Sequence, residues 1–226
     1  AGANTAVTTT NAVVFGGVLV VTAALPGGGS GLFLVEADAV TRHPFRTFDG
    51  QRGAEIVLQD AGAQPLGAGG DATEAIASAV IAFQSALCAE AVGAMDEAVR
   101  LTTEYLKARK QFGVPLKTFQ TLTQRSADVY VSLELARSMN YYAAVCVADG
   151  RFDPVVAARA KLQIGRSGRH IAQESIQMHG GIGVTAEYPV AHYAARLTAI
   201  DQTFGTATDQ LRFLSGQVGN YDVVTL

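Results

Sequence analysis

Asp71-Ala72-Thr73-Glu74-Ala75-Ile76-Ala77-Ser78-Ala79-Val80-Ile81-Ala82-Phe83-Gln84-Ser85-Ala86-Leu87 decides the architecture of the chain. Ile76, Val80, Phe83 and Leu87 recur at spacings of four, three and four, which keeps them on one helical face. Asp71 and Glu74 stand three apart ahead of that face and read as a capping box. The pattern runs on through Met95 and Val99 to Arg109, far beyond the ~11–12 residues of an average helix. Phe112-Gly113-Val114-Pro115 ends it, because proline cannot continue a helix and restricts the residue before it.

Working outward, a second long helix is expected over 118–148, stopped by Asp149-Gly150. Asp153-Pro154 opens a third with a cap and a proline at the first helical position. That helix runs to Met178 and stops at Gly180-Gly181. Shorter helices follow at 189–202 and 206–216. Long helices joined by short loops make an antiparallel bundle, so 71–226 is expected to be a helical bundle domain. Upstream, 1–67 is rich in Gly, Thr and Val, with strands expected at 13–22, 31–36 and 55–58 and a loop at 26–30. So few strands need a packing partner, so this stretch reads as a partial small β domain. The fold class expected is α+β, mainly α: a long antiparallel four-helix-type bundle preceded by a partial β domain. There is no internal repeat and no low-complexity linker.

The chain has 226 residues, with 17 Lys+Arg against 20 Asp+Glu and a net charge of −3. That balance argues against a nucleic-acid partner, which leaves a clustered basic surface. Charged residues make up 16% and apolar residues 49%, against ~25% charged in an average chain. Much of the surface is therefore expected to be covered by other subunits. The apolar run 12–25 is shorter than the ~18–20 residues of a spanning helix and is broken by Gly16-Gly17 and Thr22, so no membrane span is expected there. The first basic residue is Arg42, far too late for the charged start of a signal peptide. Cys88 and Cys146 fit no metal spacing and read as core thiols in a reducing, cytoplasmic compartment.

The four histidines, His43, His170, His179 and His192, sit at no metal-ligand spacing, so no metal site is expected. No nucleophile elbow, Walker motif or Rossmann glycine pattern is present. Two stretches carry chemistry. Arg109-Lys110-Gln111-Phe112-Gly113, followed by Phe119-Gln120, offers a guanidinium fork, an amide and aromatic faces at a helix terminus. That set suits a phosphate beside a planar ring, although basic residues there also complement the helix dipole. The second is Gln177-Met178-His179-Gly180-Gly181-Ile182-Gly183-Val184-Thr185-Ala186-Glu187-Tyr188-Pro189. Three glycines in four positions let a backbone approach a ligand, and they equally suit a glycine-terminated helix and tight turn.

In this order and spacing the two stretches resemble the acyl-CoA dehydrogenase family, over 71–212, in its C-terminal four-helix domain. The strand at 31–36 resembles the late part of that family's middle β domain. The resemblance implies an FAD lying extended at a subunit interface. Arg109, Gln111, Phe112, Phe119 and Gln120 would reach the diphosphate and adenine end of a neighbour's FAD, with Gln177, Gly180 and Gly181 closing over it. Thr206 and Thr208 join the same implied set of cofactor contacts. The family's ring-gripping Trp-x-Thr strand has no counterpart, since the chain has no Trp, and neither does its N-terminal helical domain.

The family's catalytic Glu, in a Y-E-G-T loop between the last two helices, corresponds here to Phe204 or Gly205 in Thr203-Phe204-Gly205-Thr206-Ala207-Thr208. Members that carry the Glu on the first long helix place it at Phe83, with Gln84 where an Arg contacting CoA follows. Neither Phe nor Gly can take a proton. Asp201 and Asp209 flank the loop as the other carboxylates, and read as a helix end and a solvated face. No catalytic residue is therefore assigned. The resemblance implies a non-catalytic subunit of a heteromeric α2β2 acyl-CoA dehydrogenase. A homologous catalytic partner would carry the Glu and bind most of the acyl-CoA, with a bulky steroid side-chain thioester as the expected substrate class. The alternatives are a structural scaffold subunit with no flavin role, and a self-sufficient dehydrogenase whose N-terminal half lies outside this sequence.

Overall fold

The computed structural model describes residues 13–15 and 17–220. The chain divides into two compact units, with the division after Ala79. In the first, β1 (Val13–Phe15), β2 (Val18–Ala24), β3 (Ser30–Glu36) and β6 (Ala63–Pro65) form an antiparallel sheet in the order β1-β2-β3-β6. Between β3 and β6, β4 (Thr41–Arg46) pairs with β5 (Arg52–Val57) as a two-stranded ribbon. Leu19 and Val21 alternate onto the face that also carries Val35, and all three are buried against Val40, Ile56 and Leu58.

The single strand expected over 13–22 is a hairpin: β1 pairs with β2 with Phe15 opposite Val18, and Gly17 has φ +95°. Two apolar arms of the same period read as one strand when the glycine between them is not taken as a turn. The strand expected at 55–58 begins earlier, at Arg52. Strand β4 went unseen because Thr41-Arg42-His43-Pro44-Phe45-Arg46 is exposed and holds a proline, which a two-stranded ribbon tolerates at its edge.

Helix α1 (Thr73–Ala108) begins two residues after Asp71. Asp71 Oδ1 accepts from the Thr73 N–H at 3.0 Å, the Thr73 hydroxyl at 2.6 Å and the Ser30 N–H at 3.2 Å. These bonds hold its carboxyl below the usual range. Asp71 thus caps without the reciprocal bond from Glu74 that a capping box needs.

The second unit contains the rest of α1 with α2 (Gln120–Ala148), α3 (Pro154–His179), α4 (Pro189–Gln202) and α5 (Ala207–Gly216). Asp153 accepts from Val155 N–H at 2.7 Å, with Pro154 in the first turn, as its sequence requires. Helix α3 is central and packs on α2, α4 and α5. One core joins Leu87 and Met95 of α1, Val129 and Leu133 of α2, Ile164 and Ile171 of α3, and Leu197 of α4. Cys88 and Cys146 are buried and unpaired, and burial pushes the Cys88 thiol up to about 11. Among the described residues α1 is the one helix that, by length and composition only, could cross a membrane. Its apolar residues Leu87, Cys88, Val92 and Met95 already have a partner, the bundle core.

The most crowded glycine of the bundle is Gly165, where a Cβ would strike Asp201 Oδ1 and lie 3.1 Å from Ala207 Cβ. Glycine here lets α3 touch the turn between α4 and α5. Beside it the fully buried Lys161 donates from Nζ to the carbonyls of Ile200 (2.8 Å) and Asp201 (3.1 Å). It satisfies carbonyls that α4 leaves unpaired at its C-terminus. Burial lowers the Lys161 pKa, and the Asp201 carboxylate opposes that shift.

Candidate functional site

Past α1, β7 (Lys110–Gln111) and β8 (Val114–Pro115) form a tight hairpin with Phe112-Gly113 at its tip. Both tip residues are left-handed, with φ +54° and +81°. That is the twist a two-residue hairpin wants, and it strains a bulky aromatic residue. The ring of Phe112 is 91% exposed and meets Phe119 edge-on at 6.2 Å. Arg109 is fixed through its backbone: its N–H donates to Tyr105 and its carbonyl accepts from Leu116, both at 2.8 Å. Its exposed guanidinium has no partner among the described residues. Gln111 is exposed on β7, and Gln120 is exposed as the first residue of α2.

The second stretch lies at the C-terminus of α3 and continues as the 3-10 turn Gly180–Val184. Its three glycines differ. Gly180 ends α3 with φ +68°, a backbone requirement. At Gly183 a Cβ would lie 2.8 Å from the Ile176 carbonyl and 2.9 Å from His179 Cβ, so this glycine serves internal packing. Gly181 is exposed, and a Cβ there would meet nothing within 4 Å. Gln177 is exposed beside it.

An aromatic stack brings the two stretches together. Tyr105 lies on His179 with ring centroids 4.5 Å apart, and Tyr188 meets His179 at 4.9 Å. Ser126 Oγ on α2 reaches Met178 Sδ at 3.6 Å, and Arg125 pairs with Glu174 through two bonds of 2.6 and 2.9 Å. Those bonds hold the Glu174 carboxyl below its usual range. Arg109, Gln111, Phe112, Phe119, Gln120, Gln177, Gly180 and Gly181 therefore share one end of the bundle. Sequence reasoning missed Tyr105, Tyr188 and Ser126. The detectable signal was Tyr105, in the last turn of α1 and four residues before Arg109.

His179 is 3% exposed, with Nδ1 against the Ser175 carbonyl at 2.7 Å and Nε2 unpartnered. Burial lowers its pKa, opposed by the Ser175 bond. A protonated ring here would be a buried charge with one carbonyl for company.

Thr206 and Thr208 belong to a different place. Thr206 is the N-cap of α5 and Thr208 is exposed in its first turn. The α5 start abuts Gly165, twelve residues before Gln177 on α3, or about 18 Å away at 1.5 Å per residue. One diphosphate does not span both places. Around this turn the polar groups are used internally. Asp201 is buried: Oδ1 accepts from the Ala207 N–H at 3.1 Å and Oδ2 meets Arg169 at 3.3 Å. Asp209 completes a capping box with Thr206, whose bonds hold its carboxyl below the usual range. Asp201 does lie at a helix end, in the last turn of α4, but its carboxylate is buried and accepts from the start of α5 instead of facing solvent.

Phe204 adopts φ +56°, and its carbonyl accepts from Gln84 Nε2 at 3.0 Å and Gln210 Nε2 at 3.2 Å. Its ring packs on Phe83 with centroids 5.1 Å apart.

A family model for the acyl-CoA dehydrogenase C-terminal domain matches residues 76–217. The chain is similar to acyl-CoA dehydrogenase IpdE2 of Mycobacterium tuberculosis, 38% identical over 132 residues, 58% of this chain and 40% of that protein. It spans about two fifths of the length of the first curated relatives it matches (40% and 41%). Among solved structures it is similar to the Tcur3481-Tcur3483 steroid ACAD G363A variant, 29% identical with a TM-score of 0.80, covering 92% of this chain and 62% of that one. The ChsE4-ChsE5 complex from Mycobacterium tuberculosis is 25% identical with a TM-score of 0.80, covering 92% and 57%. The chain belongs to the acyl-CoA dehydrogenase family through its C-terminal helical domain.

Proposed function

We propose that this chain is the non-catalytic member of a heteromeric, FAD-dependent acyl-CoA dehydrogenase. The carrying observation is the ring contact between Phe83 and Phe204 at 5.1 Å. Two positions that supply the same base in different relatives must converge on one point in space. Phe83 and Phe204 do converge, which favours Phe204 over Gly205 as the counterpart of the loop base, and both are hydrocarbon. Neither ring accepts a proton. Asp209 is a poor substitute, since its bonds to Thr206 and Arg212 favour the carboxylate and weaken it as a base. Asp201 is committed to Ala207 and Arg169.

The other end of the bundle fits a dinucleotide's diphosphate and adenine. Arg109 offers a fork with no partner among the described residues for phosphate oxygens, roughly twice the strength of a neutral donor. Phe112 and Phe119 offer aromatic faces, Gln111, Gln120 and Gln177 offer amides, and Gly181 leaves backbone open to close approach. When bound, FAD would supply the hydride acceptor for α,β-dehydrogenation of an acyl thioester. This chain's own residues bind and orient; the base, the ring contacts and most of the acyl pocket come from a homologous partner. The resemblance to a steroid ACAD supports a bulky steroid side-chain CoA as the substrate class.

Co-purifying the chain with its partner and measuring bound flavin tests the reading. Flavin and turnover are expected in the complex and not in the lone chain. Arg109→Ala in the complex separates a half-site from a pure scaffold, in which FAD content would be unchanged.

A further inference from the structure

The ribbon of β4 and β5 carries a face of arginines that the chain itself leaves unpaired. Antiparallel pairing sets Arg42 opposite Ile56, Pro44 opposite Ala54 and Arg46 opposite Arg52. Residues directly opposite share a face, so all six stand on one side of the ribbon. At the base of that face Ile56, with Leu58, packs on the small core of the β unit. Arg42, Pro44, Arg46, Arg52 and Ala54 are exposed. None of the three guanidiniums has an ion pair or hydrogen bond among the described residues. The ribbon's acids are directed elsewhere. Glu55 stands opposite His43 on the other face, and Asp49 accepts from the Thr47 hydroxyl and the Gln51 N–H within the turn.

Like charges directly opposite, with Cβ atoms only ~4.5–5.5 Å apart, destabilise a ribbon, so Arg46 and Arg52 do not serve the local fold. The turn holds them in register: the Thr47 N–H donates to the Gln51 carbonyl at 3.0 Å, and the Gly50 N–H to the Thr47 carbonyl at 2.9 Å. In that turn Phe48 is 67% exposed. Arginine beside an exposed aromatic is the composition of interface hot spots. From this geometry we infer that the ribbon docks an extended acidic segment of another protein, with Phe48 as anchor and the three arginines pairing with its carboxylates. Arg42 lies four residues from Arg46, or ~13 Å along the strand. An extended segment presents same-side carboxylates every ~6.6 Å, so acids four positions apart match that span. The net charge of −3 disfavours a nucleic-acid occupant. The ribbon belongs to the first unit and shares no residue with the Arg109 group, so the inference does not rest on the half-site reading.

A fluorescein-labelled peptide of repeating Glu and Thr, titrated with the full chain, tests it. Anisotropy should rise to saturation, and added salt should weaken the binding. Arg46→Gln combined with Arg52→Gln should weaken it about tenfold, the combined worth of two exposed ion pairs. That double variant should melt no lower than the wild type, since the two arginines repel each other. Phe48→Ala should also weaken binding, with an unchanged salt dependence. Arg109→Ala should leave the titration unaltered even if the half-site reading fails. A matching peptide of Lys and Thr should not bind. Absence of saturation, a double variant that binds like the wild type or melts lower, or tighter binding of oligothymidylate than of the acidic peptide overturns the inference.

Discussion

The middle and the C-terminal end of α3 treat polar groups in opposite ways. Near its middle, at the α4–α5 turn, Lys161 serves α4 carbonyls, Asp201 and Asp209 cap α5, and Gln84 and Gln210 both serve the Phe204 carbonyl. At its C-terminal end, the Arg109 guanidinium has no partner among the described residues, Phe112 is held exposed in a strained conformation, and Gly181 is exposed. The first region spends its polarity on the fold. The second holds polarity in reserve for something outside the chain, and a cost such as a left-handed phenylalanine persists only where surrounding structure imposes it.

The contrast predicts where mutations hurt stability and where they hurt binding. Gly165→Val should be the most damaging, since its side chain must displace the Asp201 carboxylate and the α5 start. We expect a loss of about 2–4 kcal/mol in denaturant unfolding, typical of overpacking combined with a broken buried network. A loss below about 0.5 kcal/mol would break the claim that this contact is tight. Arg109→Ala should do the reverse. It should weaken FAD binding by the assembled complex about 10–100-fold, the worth of a charge-assisted contact, without moving the melting temperature of the chain.

Thr206→Ala removes the N-cap hydroxyl of α5 and should cost about 1 kcal/mol, read as a lower denaturation midpoint with unchanged flavin content. The smallest expected effect is pH-dependent. Burial depresses the His179 pKa below the ordinary 6.5, so the unfolded chain takes up the proton first. Stability should be full above pH 6.5 and fall as the pH drops below it. His179→Phe should flatten that fall between pH 7 and 5. An unchanged slope would show that His179 is not the group responsible.

The helices were legible because each carries its own punctuation: Asp153-Pro154 and the apolar spacing from Ile76 to Leu87 need no tertiary knowledge. The range 189–202 matches α4 residue for residue. The β region was read less well. Its hairpin at Gly17 and the ribbon strand Thr41–Arg46 depend on pairing partners distant in sequence, and Pro44 argued against a strand that the ribbon edge permits. Within the site, the residue types at 109–120 and 177–181 were readable, but their meeting was not. It depends on Tyr105, His179 and Tyr188 stacking across three elements. Sequence order likewise grouped Thr206 and Thr208 with the others, and only the length of α3 separates them.

Flavin stoichiometry in the purified complex tests the central claim most directly. The account predicts one FAD for each pair of this chain and its partner, and none retained by this chain alone. A lone chain that keeps FAD and oxidises an acyl-CoA would contradict it.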